Sequence, residues 1–143
     1  MKGLDTNVLV RYLVQDDPAQ SKQAGEIIEG ATASGEKLFL CSIVLCELVW
    51  VLESAYGVAK DELLDALEKI LMATQFAIEN RACAWAAWTD FRASKADFSD
   101  CLVGRLNRAS GCSETFSFDR ATGILETFVV LGRSHSPPPK VGA

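Results

Sequence analysis

The stretch that decides the fold is residues 37–55, which read KLFLCSIVLCELVWVLESA. It begins with a short apolar run, residues 37–41, of the length and composition typical of a buried β-strand. Ser42 can then cap a helix, and residues 43–55 form a strongly apolar helical segment that Tyr56-Gly57 ends. A buried strand that runs directly into an apolar helix indicates a parallel sheet covered by helices.

The same alternation of short apolar runs and helical patterns continues along the chain. Further strands are predicted to end at Leu4 and to cover residues 75–78, 115–118 and 128–131. Helices are predicted over residues 7–14, 18–34, 60–72, 81–94 and 99–109, with a short helical turn before the last strand. The sequence therefore predicts an α/β domain over residues 1–131 with a central, mostly parallel sheet between helices. A Pro/Ser-rich tail over residues 132–143 follows it.

Composition excludes several classes of protein. The 143 residues are 49% hydrophobic, but Glu47 and Glu53 interrupt the longest apolar stretch, so no transmembrane helix is expected. The N-terminus, with Asp5 and no cleavage pattern, does not resemble a signal peptide, and we expect a cytoplasmic protein with no membrane partner. The net charge of −5 argues against broad electrostatic binding of nucleic acid, although a bound cation changes that balance locally.

The positions of the cysteines and of the single histidine argue against several kinds of disulfide, metal and catalytic site. The five cysteines form no CxxC motif, and most lie in apolar stretches where a reduced thiol behaves as a small hydrophobe, so neither a disulfide framework nor a zinc site is expected. The single histidine, His135, lies in the tail. Ser-His-Asp chemistry and HExxH metal sites are therefore excluded.

Two aspartates directly follow predicted strands. Asp5 comes after the first strand and Asp119 after the run Thr115 to Phe118. Ligands of open α/β sheets collect outside the carboxyl ends of the strands, so both carboxylates are placed to bind one. Each has an equally simple structural interpretation, as a helix cap for Asp5 and as a turn former for Asp119.

Glu47 lies in the helix over residues 43–55. Its neighbours three and four positions away are all apolar: Ile43, Val44, Trp50 and Val51. An unpaired carboxylate on a core-facing stripe would cost several kcal/mol, on the order of known burial penalties, and no basic residue lies within helical reach. A metal ion is the favoured explanation.

Asp97 and Asp100 lie three residues apart at the start of the helix over residues 99–109. A helix N-terminus favours negative charge, but this explains one acid better than two. Asp100 is the better ligand candidate because Gly104 and Asn107 leave room beside it on the same helix edge. Asp97 can be an N-cap or an auxiliary acid.

Together these residues predict one acidic pocket. Clustered carboxylates repel one another unless a cation is present, and hard oxygen ligands suit Mg²⁺ or Mn²⁺. Such sites serve phosphate chemistry, in which the metal activates and orients a water molecule. The predicted metal ligands, which are also the predicted catalytic residues, are Asp5, Glu47, Asp100 and Asp119.

Four short motifs in the same order resemble the PIN-domain ribonucleases, and most closely the VapC-type toxins of bacterial toxin–antitoxin pairs. These motifs are LDTNVL at residues 4–9, SIVLCEL at 42–48, ADFSDCL at 96–102 and FSFD at 116–119. The resemblance covers residues 1–131, and no acid of the family's pattern is missing.

The resemblance implies a single PIN-like domain that hydrolyses RNA phosphodiester bonds with Mg²⁺ or Mn²⁺ and a metal-activated water. It assigns the metal to the four acids above, with Thr6 and Ser117 as polar neighbours that orient them and Asp97 as an auxiliary acid. It also implies a homodimer and a small cognate antitoxin that blocks the pocket, often with a basic side chain.

Residues that contact RNA are harder to assign. Arg11, Arg105, Arg108 and Arg120 are near the predicted site in sequence, but ordinary solvated helix faces explain each of them at least as well. Trp85 and Trp88 can stack bases, although their spacing is more typical of a core or a dimer interface. We assign no RNA-binding residue from the sequence.

Other functions remain open. A receiver-type phosphotransfer domain needs adjacent acids after the first strand and a lysine after the last, and a haloacid-dehalogenase-like phosphatase needs an aspartate at position 7. The chain has Asp5-Thr6-Asn7 and no such lysine, which disfavours both. The remaining alternative is a PIN-like domain that binds RNA or protein without cleaving it.

Overall fold

The computed structural model describes residues 1–132, and its helices follow the predicted order. The helices are α1 (Thr6–Val14), α2 (Pro18–Ser34), α3 (Ser42–Ser54), α4 (Lys60–Met72), α5 (Arg81–Ala93) and α6 (Phe98–Ala109), with a 3₁₀ helix at Arg120–Ile124. The predicted tail, including His135, lies outside the described residues.

Five short strands pair in parallel. They are β1 (Lys2–Gly3), β2 (Leu38–Leu40), β3 (Phe76–Ile78), β4 (Thr115–Ser117) and β5 (Phe128–Val130). β1, β2 and β3 form one sheet in that order, with Lys2 opposite Leu38 and Leu38 opposite Phe76. The predicted α/β class with parallel strands is confirmed, and the structure adds that β4 and β5 pair in a separate two-stranded sheet.

Local signals explain both boundaries of α2. The Asp17 side chain accepts a hydrogen bond from the backbone N–H of Gln20, and Pro18 is the first residue of α2. Gly35 ends α2 with a φ of 73°, a left-handed conformation that glycine adopts without steric cost.

The start of α3 differs from the prediction. Cys41, not Ser42, is the cap residue, and it makes no side-chain cap hydrogen bond. Glu79, which directly follows β3, instead accepts a hydrogen bond of 2.9 Å from the backbone N–H of Ser42. A carboxylate at this position complements the positive end of the α3 dipole. Because Glu79 is distant in sequence, the cap could not be found from local spacing.

The core lies between the helices and the strands. Its fully buried side chains are mostly leucines, among them Leu9, Leu38, Leu45, Leu67 and Leu102. Trp88 packs against this core and donates its indole N–H to the Leu64 carbonyl of α4, which supports its interpretation as a structural residue. None of the helices within residues 1–132 is long and apolar enough to span a membrane.

Candidate metal centre

Asp5 lies in the turn from β1 into α1. Its backbone is extended, and its Oδ1 accepts a hydrogen bond of 2.8 Å from the backbone N–H of Thr6. Asp5 therefore caps α1, as the structural interpretation of this residue proposed. Among the described residues Oδ2 accepts no hydrogen bond, and the side chain is exposed, so capping leaves one oxygen available to a ligand.

Thr6 connects Asp5 with Glu47. The threonine is 5% exposed, and its hydroxyl donates a hydrogen bond of 3.1 Å to Glu47 Oε1 on α3. Its backbone N–H is already bonded to Asp5. One buried residue thus holds two predicted metal ligands that are 42 positions apart in sequence, which fits its predicted role as an orienting neighbour.

The sequence-based account of Glu47 was wrong in one respect, because this side chain is exposed. Two of its apolar neighbours are exposed with it: Ile43 at 69% and Trp50 at 70%. The buried face of α3 is the other one, formed by Val44, Leu45, Leu48, Val49 and Leu52. Since α3 is apolar almost all round, its sequence does not show which face turns inward. The role of Glu47 as a metal ligand stays a prediction.

Asp100 lies in the first turn of α6 and is partly buried. Its pKa is raised, first by burial and then by the negative charges of Asp97 and Asp119. Asp97 occupies the cap position of α6, but its side chain makes no cap hydrogen bond there. Three carboxylates thus act on one another at the start of α6, and a cation would relieve this repulsion.

Asp119 caps the 3₁₀ helix in the way that Asp5 caps α1. Its Oδ1 accepts a hydrogen bond of 2.9 Å from the backbone N–H of Ala121. Its own backbone N–H donates to Ser117 Oγ at 3.0 Å, and its carbonyl accepts from the buried Thr122 hydroxyl at 2.6 Å. These bonds fix the backbone at the end of β4, with Ser117 as the predicted polar neighbour.

One edge of α6, beginning one turn after Asp100, packs against the β4–β5 sheet and the residue before β5. Asn107 donates a hydrogen bond of 3.0 Å to the Thr115 hydroxyl of β4. A Cβ placed on Gly104 would lie 2.4 Å from Thr127 Oγ1 and 2.6 Å from a Phe128 ring carbon, so only glycine permits this approach. The expectation that Gly104 and Asn107 leave open room beside Asp100 was therefore wrong, because Thr127, Phe128 and Thr115 occupy that edge of α6.

Cys46 lies within the electrostatic influence of one acid from each pair, Glu47 and Asp100. Burial raises the pKa of the Cys46 thiol to about 11, and the charges of Asp100, Cys41 and Glu47 add to the increase. Within residues 1–132, however, no three Asp, Glu, Cys or His side chains are close enough to form a metal-binding group. The structure therefore links the predicted ligands in two pairs, Asp5 with Glu47 through Thr6 and Asp100 with Asp119, and their oxygens have the chemistry that Mg²⁺ and Mn²⁺ prefer.

Three of the four arginines considered for RNA contact are already engaged. Arg105 binds Asp90 through two nitrogens and also contacts Glu126, which holds its pKa well above the usual value. Arg108 pairs with Glu126, and Arg11 with Asp16. Arg120 is exposed and forms no ion pair with any residue the structure describes, so it is the one of the four that is free for phosphate.

The sequence of this chain is similar to those of known proteins. The sequence pattern of the PIN domain matches residues 3–123, which include all four predicted acids. The chain is also 30% identical over 120 residues to a protein of Aquifex aeolicus (strain VF5) named VapC ribonuclease. That alignment covers 84% of this chain and 88% of the relative.

Proposed function

The chain belongs to the PIN-domain family, and we propose that it is a divalent-metal-dependent endoribonuclease, the toxin of a toxin–antitoxin pair. The similarity to a protein named VapC ribonuclease supports a toxin-type nuclease. The observation that carries the proposal is the buried Thr6, which donates hydrogen bonds to both Asp5 and Glu47.

In this proposal Mg²⁺ or Mn²⁺, when bound, activates a water molecule and neutralises charge on the scissile phosphate. Asp5 and Glu47 would be two of its ligands, and the hydrogen bonds of Thr6 would keep both carboxylates in place. Asp100 and Asp119 would be the other two ligands. Ser117 fixes the backbone of Asp119, and Asp97 adds negative charge next to Asp100.

The proposed partners follow from the family. They are an RNA substrate, a small cognate antitoxin and a second copy of the chain in a homodimer. An acidic pocket that lacks its cation attracts a basic side chain, which is how an antitoxin would block it. Arg120, exposed and directly after Asp119, is the proposed contact for a substrate phosphate.

Substitution of Asp5 tests the enzyme directly. We expect purified Asp5→Asn protein to lose RNA cleavage in Mg²⁺ or Mn²⁺, because an amide oxygen does not supply the charge that the cation needs. Asparagine can still accept the Thr6 N–H and cap α1, so the fold should survive. Glu29→Gln, an exposed carboxylate change on α2, is the matched control and should cleave like the wild type.

Cleavage that persists in EDTA and in Asp5→Asn would contradict the metal-dependent mechanism. A wild-type protein that binds RNA in Mg²⁺ but never cuts it would instead favour the non-cleaving PIN-like domain. Circular dichroism of each variant, recorded beside the cleavage assay, separates lost chemistry from lost folding.

The toxin role is tested in cells. We expect expression of the wild-type chain, but not of Asp5→Asn, to stop growth. A short open reading frame directly upstream should encode a protein that restores growth and co-purifies with the chain. Normal growth on expression, with no such neighbouring frame, would contradict the toxin role while leaving the nuclease proposal standing.

A further inference from the structure

Trp50 is a large aromatic side chain left open to solvent next to the candidate metal centre. It is 70% exposed on α3, three residues and therefore about one helical turn after Glu47. A single exposed apolar residue needs no explanation, but Trp50 also forms one wall of a pocket.

This pocket lies between α3 and the start of α6, and we call it the α3–α6 pocket. It has a volume of about 190 Å³, well below the roughly 300–1,000 Å³ of sites for drug-sized ligands. Its walls combine apolar groups with two carboxylates and a hydroxyl: Cys46, Val49, Trp50, Glu53, Asp97, Phe98 and Ser99. A site of this size, with an aromatic wall and a few polar groups, suits one planar ring.

The pocket adjoins the candidate metal centre in sequence on both helices, because two of its lining residues directly precede predicted metal ligands. On α3, Cys46 directly precedes Glu47. On α6, Ser99 directly precedes Asp100. A polymer whose phosphate is held at the metal centre would therefore place a neighbouring unit in the α3–α6 pocket.

We propose that the α3–α6 pocket binds one nucleobase of the RNA substrate, stacked on Trp50, and so selects the base beside the scissile phosphate. This inference rests on the proposed ribonuclease function. Stacking on an aromatic side chain contributes about 1–3 kcal/mol per base and accepts any base. The polar groups of the pocket then supply the preference.

Charge decides which bases fit. Glu53 and Asp97 are both exposed, and neither side chain takes part in a salt bridge within residues 1–132. Carboxylates accept hydrogen bonds from base amino groups, as Asp and Glu do from the cytosine N4 amino group, and they repel phosphate. The pocket should therefore prefer adenine, guanine or cytosine to uracil, which has no amino group.

The same charges disfavour a second copy of the chain as the occupant. In a two-fold symmetric dimer the same surface patch meets itself, so the carboxylates of Glu47, Glu53 and Asp97 would all be present twice in one interface. Like charges brought together in an interface oppose association. A neutral base with amino donors meets no such repulsion.

RNA binding without cleavage tests the proposal. In the Asp5→Asn background, the affinity for labelled five-nucleotide RNAs is measured by fluorescence anisotropy. We expect Trp50→Ala to weaken binding about 5- to 150-fold, the range that corresponds to the loss of one stacked base. Trp50→Phe, which keeps an aromatic ring, should restore most of the affinity. Ile43→Ala is the matched control, since Ile43 is 69% exposed on α3 but does not line the pocket.

Base preference is the second measurement. Oligonucleotides of A, G or C should bind more tightly than oligouridine, and Glu53→Gln should reduce this difference while stacking persists. Equal affinity for Trp50→Ala and its Asp5→Asn parent would overturn the proposal. A dimer that dissociates in Trp50→Ala, with RNA affinity unchanged, would also overturn it and assign the surface to a second copy.

The two proposals fail differently. Wild-type protein that binds RNA through Trp50 but does not cut it refutes the ribonuclease and retains the base pocket. If the wild type cuts RNA but Trp50→Ala leaves RNA affinity unchanged, the ribonuclease is retained and the base pocket is refuted.

Discussion

The two halves of the candidate metal centre are organised by different forces. In the first half, Asp5 and Glu47 are both bonded to Thr6, whose hydroxyl and backbone N–H hold the two carboxylates in place. In the second half, Asp100 and Asp119 repel each other and are held close by the packing of α6 on the β4–β5 sheet. Hydrogen bonds organise one half and close packing the other.

This difference indicates where a cation contributes most. In the first half, hydrogen bonds from Thr6 already stabilise the carboxylates of Asp5 and Glu47 in the absence of metal. In the second half, burial and the charges of Asp97 and Asp119 raise the pKa of Asp100 and so disfavour its ionised form. The stabilising effect of Mg²⁺ should therefore come mainly from Asp100 and Asp119, whereas the first half mainly fixes geometry.

The largest expected effect comes from disturbing the packed half. In Gly104→Ala the added methyl would lie 2.4 Å from Thr127 Oγ1, so α6 must move away from the β4–β5 sheet. We expect a loss of about 1–3 kcal/mol in the free energy of unfolding, the usual cost of overpacking. Mg²⁺ affinity and cleavage should fall with it, because Asp100 moves relative to Asp119. Urea unfolding and metal titration measure the two effects.

Gly30→Ala is the control for Gly104→Ala. Gly30 lies in α2, and a Cβ there would have no atom within 4 Å. Alanine is a better helix former than glycine by about 0.5–1 kcal/mol, so this variant should be slightly more stable and equally active. If Gly104→Ala were as stable and active as Gly30→Ala, the packing account of the second half would be wrong.

The hydrogen-bonded half is tested at Thr6. Thr6→Val keeps the shape of the side chain but removes the hydroxyl that donates to Glu47. We expect activity or metal affinity to fall about 10- to 100-fold, the usual effect of removing a group that orients a ligand. Thr6→Ser, which keeps the hydroxyl, should retain most of both. Equal loss in the two variants would show that Thr6 acts through packing instead of hydrogen bonding.

Much of the fold could be predicted because its signals are local. The cap at Asp17, the proline at position 18 and the left-handed Gly35 are adjacent in sequence to the boundaries they set. The cap of α3 could not, since Glu79 reaches the Ser42 N–H from another element. The division of the strands into two sheets also depends on tertiary contacts that no single segment encodes.

The candidate site could likewise be predicted only where its signals are local in the sequence. Residue type and position at strand ends identified Asp5 and Asp119, and the structure places both as caps with one carboxylate oxygen engaged. Periodicity gave the wrong exposure for Glu47, because an apolar helix has no marked inward face. Trp50 was noted only as an apolar neighbour, since its exposure follows from the same undetermined face.

The smallest expected effect is on the thermal stability of Asp100→Asn, and it tests most directly how the two halves of the candidate metal centre differ. Burial and the charges of Asp97 and Asp119 raise the pKa of Asp100 above its ordinary value in the folded state. For a carboxyl group with a raised pKa, protonation favours the folded state, so stability is lost as pH rises through that pKa. At neutral pH the metal-free wild type therefore carries the cost of an ionised Asp100, and the neutral Asp100→Asn should unfold at a slightly higher temperature.

Bound Mg²⁺ should reverse this order of unfolding temperatures, so that the wild type is more stable than Asp100→Asn. The wild type gains stability from a cation bound between its carboxylates, while Asp100→Asn gains less because it has lost one ligand. Thermal unfolding in EDTA and in Mg²⁺, each at neutral pH and near pH 3, measures both effects. The metal-free difference should disappear at the lower pH, where Asp100 is protonated in the wild type. If metal-free Asp100→Asn were instead less stable than the wild type at neutral pH, the carboxylate would be stabilising by itself, and the second half would resemble the first.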